Sequence, residues 1–141
     1  MNTRQRLVSL FFALLLSACA ASMTKTEGNA WLESKAGPSS ERVAGKWTSS
    51  GNWTADWGEG NFIQDGWRFY GYMGSYYVDG ALNGDHLYLA LSSGKKLYYT
   101  AILRKAADGS YSGKATPGVL IDAPGAEDGG VVLINLRRVG N

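Results

Sequence analysis

The chain holds one histidine, His86, and one cysteine, Cys19, and these are its two residues with the most versatile chemistry. His86 could serve as a base if a carboxylate oriented it and a nucleophile stood beside it. The hydroxyls on offer, Ser92, Ser93 and Thr100, sit in strand-like and turn-like sequence that marks none of them out. Asp56 and Glu59 flank Trp57. Carboxylates beside an aromatic suit glycoside hydrolysis, but this spacing is too local to place two of them across a scissile bond. One histidine with Asp122, Glu127 and Asp128 supplies neither a zinc set nor calcium-loop spacing. The expectation is a non-catalytic protein with no metal and no cofactor. Cys19 has a different setting. It follows a basic head (Arg4, Arg6) and an apolar run from Leu7 to Leu16. That layout is a secretory signal, too short for a stable membrane-spanning helix.

The end of that signal, Leu16-Ser17-Ala18-Cys19, resembles the lipobox of bacterial lipoproteins. Leu stands at minus three, small residues at minus two and minus one, and Cys at plus one. The resemblance implies cleavage before Cys19, a diacylglyceryl thioether on its sulfur, and acylation of the new amine, with palmitate as the expected acyl group. It implies membrane attachment in the bacterial envelope. Ala20 stands where enteric-type lipoproteins carry the Asp of inner-membrane retention, so the likeness favours the outer membrane. Removing residues 1–18 takes two of the fourteen basic residues and none of the twelve acidic ones, which leaves a formal net charge of zero. Nucleic acid is therefore not an expected partner, since that needs clustered Lys and Arg. With Cys19 modified, no thiol remains for a disulfide, and the fold must rest on its core.

Three regions follow: the signal at 1–18, the lipidated Cys and a tether at 19–42, and a β-domain at 43–141. Ser, Thr, Lys, Glu, Gly and Pro dominate the tether, with no sustained apolar period. As coil it would span on the order of 25–30 Å and lift the domain off the headgroups. Within it, Ala30-Trp31-Leu32-Glu33 could form a short helical turn or dock on the domain.

From Val43 onward turn signals alternate with short runs of Tyr, Trp, Phe, Val and Leu. The expected strands cover 44–50, 57–64, 67–73, 76–82, 85–92, 95–105, 110–115 and 130–139. Asn83-Gly84 and Asp65-Gly66 read as two-residue type I′ hairpin turns. Met73-Gly74-Ser75 and Ser93-Gly94 read as looser turns, and Ala106-Ala107-Asp108-Gly109 as a bulged loop. The Asn83-Gly84 turn pairs Leu82 with Asp85, Gly80 with Leu87 and Val78 with Leu89. One face then collects Tyr76, Val78, Leu82, Leu87, Leu89 and Leu91; the other collects Tyr77, Asp79, Ala81, His86, Tyr88 and Ala90, with Asp79 diagonal to His86. The Asp65-Gly66 turn puts Phe62, Trp67 and Phe69 inside, and Asn61, Ile63, Tyr70 and Tyr72 outside. The fold class is all-β: an up-and-down antiparallel meander of about eight strands, closed or partly open. Residues 116–129 form a loop long enough to be functional or mobile.

Gly45-Lys46-Trp47 on the first strand and Arg137-Arg138 on the last resemble lipocalin and other calycin-type barrels. The resemblance implies that Trp47 plugs one barrel end and that Arg138, or Arg137, stacks over it. It also implies a possible alternative function, carriage of a small apolar ligand. The large residues assigned inward argue for a filled interior instead. The tyrosines placed outward, Tyr70, Tyr72, Tyr77 and Tyr88, would give a rigid face able to bind an envelope protein or a glycan.

Overall fold

The computed structural model describes residues 23–52 and 56–140. Eight antiparallel strands in chain order close into one barrel. They are β1 (Gly45–Gly51), β2 (Glu59–Asp65), β3 (Arg68–Met73), β4 (Tyr76–Asn83), β5 (His86–Ser93), β6 (Lys96–Lys105), β7 (Tyr111–Pro117) and β8 (Val132–Arg138). β1 pairs with β8, with Trp47 opposite Arg138, so no sheet edge is left open.

The Asp65-Gly66 and Asn83-Gly84 turns each sit one residue later in the chain than expected. Asp65 pairs with Arg68 and Asn83 with His86, so the loops are Gly66-Trp67 and Gly84-Asp85. Gly74-Ser75 and Gly94-Lys95 are equally tight. In all four, glycine takes the first loop position with φ between +57 and +60. This matches the type II′ requirement for a glycine at that position alone, whereas type I′ needs φ > 0 at both. The register therefore slides by two: Leu82 faces Leu87, Gly80 faces Leu89 and Val78 faces Leu91. A slip of two preserves which side chains point inward, and the expected sorting of faces survives it. Trp67 does not fit. It belongs to a turn and is 47% exposed, not inside the barrel.

The interior is packed with Trp47, Trp57, Phe62, Phe69, Met73, Leu82, Leu87, Leu89, Leu91, Leu103, Tyr111 and Leu136, none more than 4% exposed. Phe69 lies on the backbone of Gly80 opposite it, where an added Cβ would sit 2.0 Å from Cζ of the ring. At one end, residues 41–44 cross the barrel mouth. Trp47 Nε1 donates to the Val43 carbonyl at 2.8 Å, and Val43 is fully buried. The Arg138 guanidinium stands 4.5 Å from the centroid of the Trp47 ring and donates to the carbonyls of Ala44 and Arg42. Of the two arginines, it is thus Arg138 that covers the tryptophan. Glu41 accepts from Lys105 Nζ and Tyr111 Oη, both at 2.8 Å. The Lys105 ammonium, opposed by desolvation and helped by the Tyr111 hydroxyl, holds the Glu41 carboxyl below its ordinary pKa. Burial, and then Glu41, push the Tyr111 phenol up.

The tether reading needs correction over 24–38, although the helical turn or docking allowed for Ala30–Glu33 is found there, as part of a longer helix. Lys25–Lys35 form a helix, α1. Thr24 caps it: its Oγ1 accepts from Glu27 N, and Glu27 Oε2 accepts from Thr24 N. Gly28, Trp31 and Leu32 line its buried side, at the i, i+3, i+4 spacing of one helix face. That side rests on the outer wall of the barrel, against Ala81, Ala90 and Leu97. Small residues on the expected solvent face are explained by this cover. The connection after β7 is pinned as well. Leu120 and Ile121 pack against the same cluster, and Asp122 accepts from Trp31 Nε1 at 2.9 Å and pairs with Lys35. Thr100 Oγ1 donates to the Val119 carbonyl and accepts from Ile121 N. The loop is thus a clamp on α1 over this stretch.

Candidate functional site

Outward positions of β2, β3 and β4 make a patch of paired side chains. Ile63 lies opposite Tyr70 and Asn61 opposite Tyr72. Tyr70 lies opposite Asp79, and Tyr72 opposite Tyr77. Strand alternation puts all six on the outer face, and cross-strand pairing sets them side by side. Ile63 is 71% exposed, Tyr77 62%, Tyr72 52% and Tyr70 36%. Together with Lys25 they line an open groove of about 490 Å³.

Two cations frame the rings, and α1 positions both. Lys25, in its first turn, stands 5.4 Å from the Tyr77 ring centroid, with Nζ 3.8 Å from Asp79 Oδ2. Arg68 stands 5.5 Å from the Tyr70 ring centroid, donates from Nε to the Gly80 carbonyl, and pairs with Glu33 of the helix. Cations over aromatic faces hold the rings in fixed orientations. The groove therefore offers ring faces, three phenol hydroxyls, one carboxylate and one ammonium. Such a mixture recognises a surface carrying both apolar faces and hydrogen-bonding groups.

Of the four tyrosines expected to share a face, the structure brings together Tyr70, Tyr72 and Tyr77. Tyr88 stands apart. It packs edge-on against Trp31 at 5.9 Å, under α1, because the helix covers β5 where bare sheet was expected. The Asp79–His86 pair is not made either. The slipped register sets Asp79 opposite Ala90 and His86 opposite Asn83. His86 Nδ1 lies 3.0 Å from Asp85 Oδ1 instead, and Arg104 also bonds Asp85 and holds its carboxyl below the ordinary value.

The other polar candidates are dispersed. Asp56 accepts from the Gly58 amide, Asp122 serves α1, and Glu127 pairs with Lys114. Among the described residues no group of three or more His, Cys, Asp or Glu could hold a metal ion. Cys19 and the expected signal at 1–18 lie outside the described residues. Sequence reasoning placed Asn61 and Ile63 outward beside Tyr70 and Tyr72 without counting them in the site. It missed Lys25 altogether, because the helix that carries it was read as tether. Comparison with protein-family models, with curated proteins and with solved structures finds no match.

Proposed function

We propose that this protein is a lipid-anchored lipoprotein of the bacterial envelope, in the outer membrane, whose barrel is a non-catalytic binding module. Its site is the outer groove of Tyr70, Tyr72 and Tyr77. The partner is an envelope protein or a glycan that lies against the wall of the barrel. One observation carries the reading: large aromatic side chains stand exposed side by side on one wall, while the inside is filled. Tyrosines give contact area at low entropic cost and keep a hydroxyl for hydrogen bonding. Exposed patches of this kind tend to mark contact sites. The packed interior weighs against the alternative, carriage of a small apolar ligand inside the barrel. The lipobox at Leu16–Cys19 supports the anchor.

The test is capture of envelope partners and cell-wall glycan fragments by the mature protein, alongside Tyr72→Ser/Tyr77→Ser. The double change should abolish capture and leave thermal unfolding cooperative. Capture that is unaffected, with a lipid-like molecule retained inside the purified barrel, would transfer the case to the carrier reading.

A further inference from the structure

The point where the chain leaves the barrel determines how the barrel can stand on a membrane. Leu97 N donates to the Met23 carbonyl at 3.1 Å, Thr24 bridges to Lys96, and Lys25 N donates to the Lys95 carbonyl at 2.8 Å. Residues 23–25 thus lie along the tip of the β5–β6 hairpin. Between Met23 and Cys19 stand only residues 20–22. Four residue steps reach at most about 14 Å even when fully extended. The two rims of the barrel are separated by the length of its strands, on the order of 20 Å. A lipid on Cys19 therefore keeps the β5–β6 rim within about 14 Å of the bilayer, and that rim must be the nearer one.

We infer that the barrel rests on the membrane that carries its anchor, with the β5–β6 hairpin tip against the lipid headgroups. The inference depends on lipidation of Cys19. The tip has matching chemistry: Lys95 and Lys96 are exposed, and Lys96 Nζ stands 4.9 Å from the ring centroid of Tyr98, itself at the surface. Lysine beside tyrosine suits an interface with anionic headgroups. Glu27, in the first turn of α1, is engaged in the helix cap. Asp56, Glu59, Glu127 and Asp128 lie on or beside the β1–β2 and β7–β8 connections of the same rim, so the barrel tips toward its lysine side. Lys25 belongs both to this exit segment and to the tyrosine groove. The groove thus opens at the membrane surface, and its partner must be reachable there.

Acylation occupies the only native cysteine sulfur, so an introduced cysteine is the single labelling site. The full acylated protein is reconstituted in phosphatidylethanolamine/phosphatidylglycerol vesicles carrying a headgroup-linked quencher. A fluorophore is placed at Ser75→Cys or Lys95→Cys on the near rim, or at Ala107→Cys on the far one. Quenching at both near positions should exceed that at Ala107 several-fold. Equal quenching in protein whose intact mass shows the acyl groups overturns this orientation and leaves the anchor standing. A mature protein without acyl mass overturns the anchor, and the orientation with it.

Discussion

At Gly80 the absence of a side chain is what lets Phe69 enter the core. The ring occupies the space a Cβ would need, so Gly80→Ala forces either the ring or the strand to move. We expect a loss of about 1–3 kcal/mol by chemical denaturation, the range for overpacking a tight core. Part of it should return when Phe69→Leu is added, since the two positions share one space. Leu89→Ala should cost about 2–5 kcal/mol, as a buried large-to-small change. Tyr88→Ala is not a neutral surface change, because it removes the edge-on contact with Trp31. Its cost should still fall below that of Leu89→Ala, and the reverse order would mean that the helix contributes more to stability than the barrel layer it covers. The inward and outward sorting of these side chains was legible because strand parity survives a slip of two. The partner of each residue was not, because Asp65-Gly66 and Asn83-Gly84 fit a type I′ turn with glycine second, while Gly66-Trp67 and Gly84-Asp85 fit a type II′ turn with glycine first, and the two place the pairing differently.

α1 shows why an element can be hidden in a sequence. Its buried side is one narrow strip, Gly28, Trp31 and Leu32, on a helix otherwise made of Lys, Glu, Ser, Thr, Asn and one Ala. Such a segment has little apolar period of its own and becomes stable through docking. The signals that could have found it are the Thr24/Glu27 capping pair and the alanines at positions 81 and 90, too small for a free sheet face. Leu32→Ala should cost about 2–5 kcal/mol. Thr24→Ala should cost about 1 kcal/mol and speed amide exchange in the first helical turn, with the β5 and β6 amides largely unchanged. If it leaves exchange there unaltered, the cap does not hold the helix. Lys25 and Glu33 tie α1 to the tyrosine groove, so the same change should also weaken partner capture.

For the molecule as a whole, the strap of residues 41–44 closes one barrel end, and its charge gives stability a pH dependence. Glu41 has its pKa lowered in the fold, so between the folded and unfolded values the unfolded chain binds more protons. Its contribution is complete above the ordinary carboxylate pKa of about 4.3 and is lost as pH falls through the lowered folded value. Tyr111 has its pKa raised, so its contribution is complete below the ordinary phenol value of about 10 and fades as pH rises beyond it. Glu41→Gln should flatten the acid limb of the stability profile, measured by denaturation between about pH 2 and pH 7, and soften the alkaline limb without removing it, because burial alone still raises the Tyr111 phenol. An unchanged acid limb would assign it to other carboxylates.

The eight strands, their order and the side each presents follow from sequence alone, because alternation and turn residues are local signals read within a few positions. The likeness of Gly45-Lys46-Trp47 to known barrels also implied an arginine of the last strand over Trp47, Arg138 or Arg137, and the structure selects Arg138. What required the tertiary structure was everything decided between distant segments. That includes closure of β1 on β8, the register of each hairpin, the docking of α1, and hence which tyrosines remain exposed. Tyr77 and Tyr88 sit on the same face of one hairpin and look alike in sequence. One meets solvent and the other meets Trp31, because a helix more than forty residues upstream covers only one of them. Burial by a remote element leaves no local trace, and it is that burial which sets the limits of the groove.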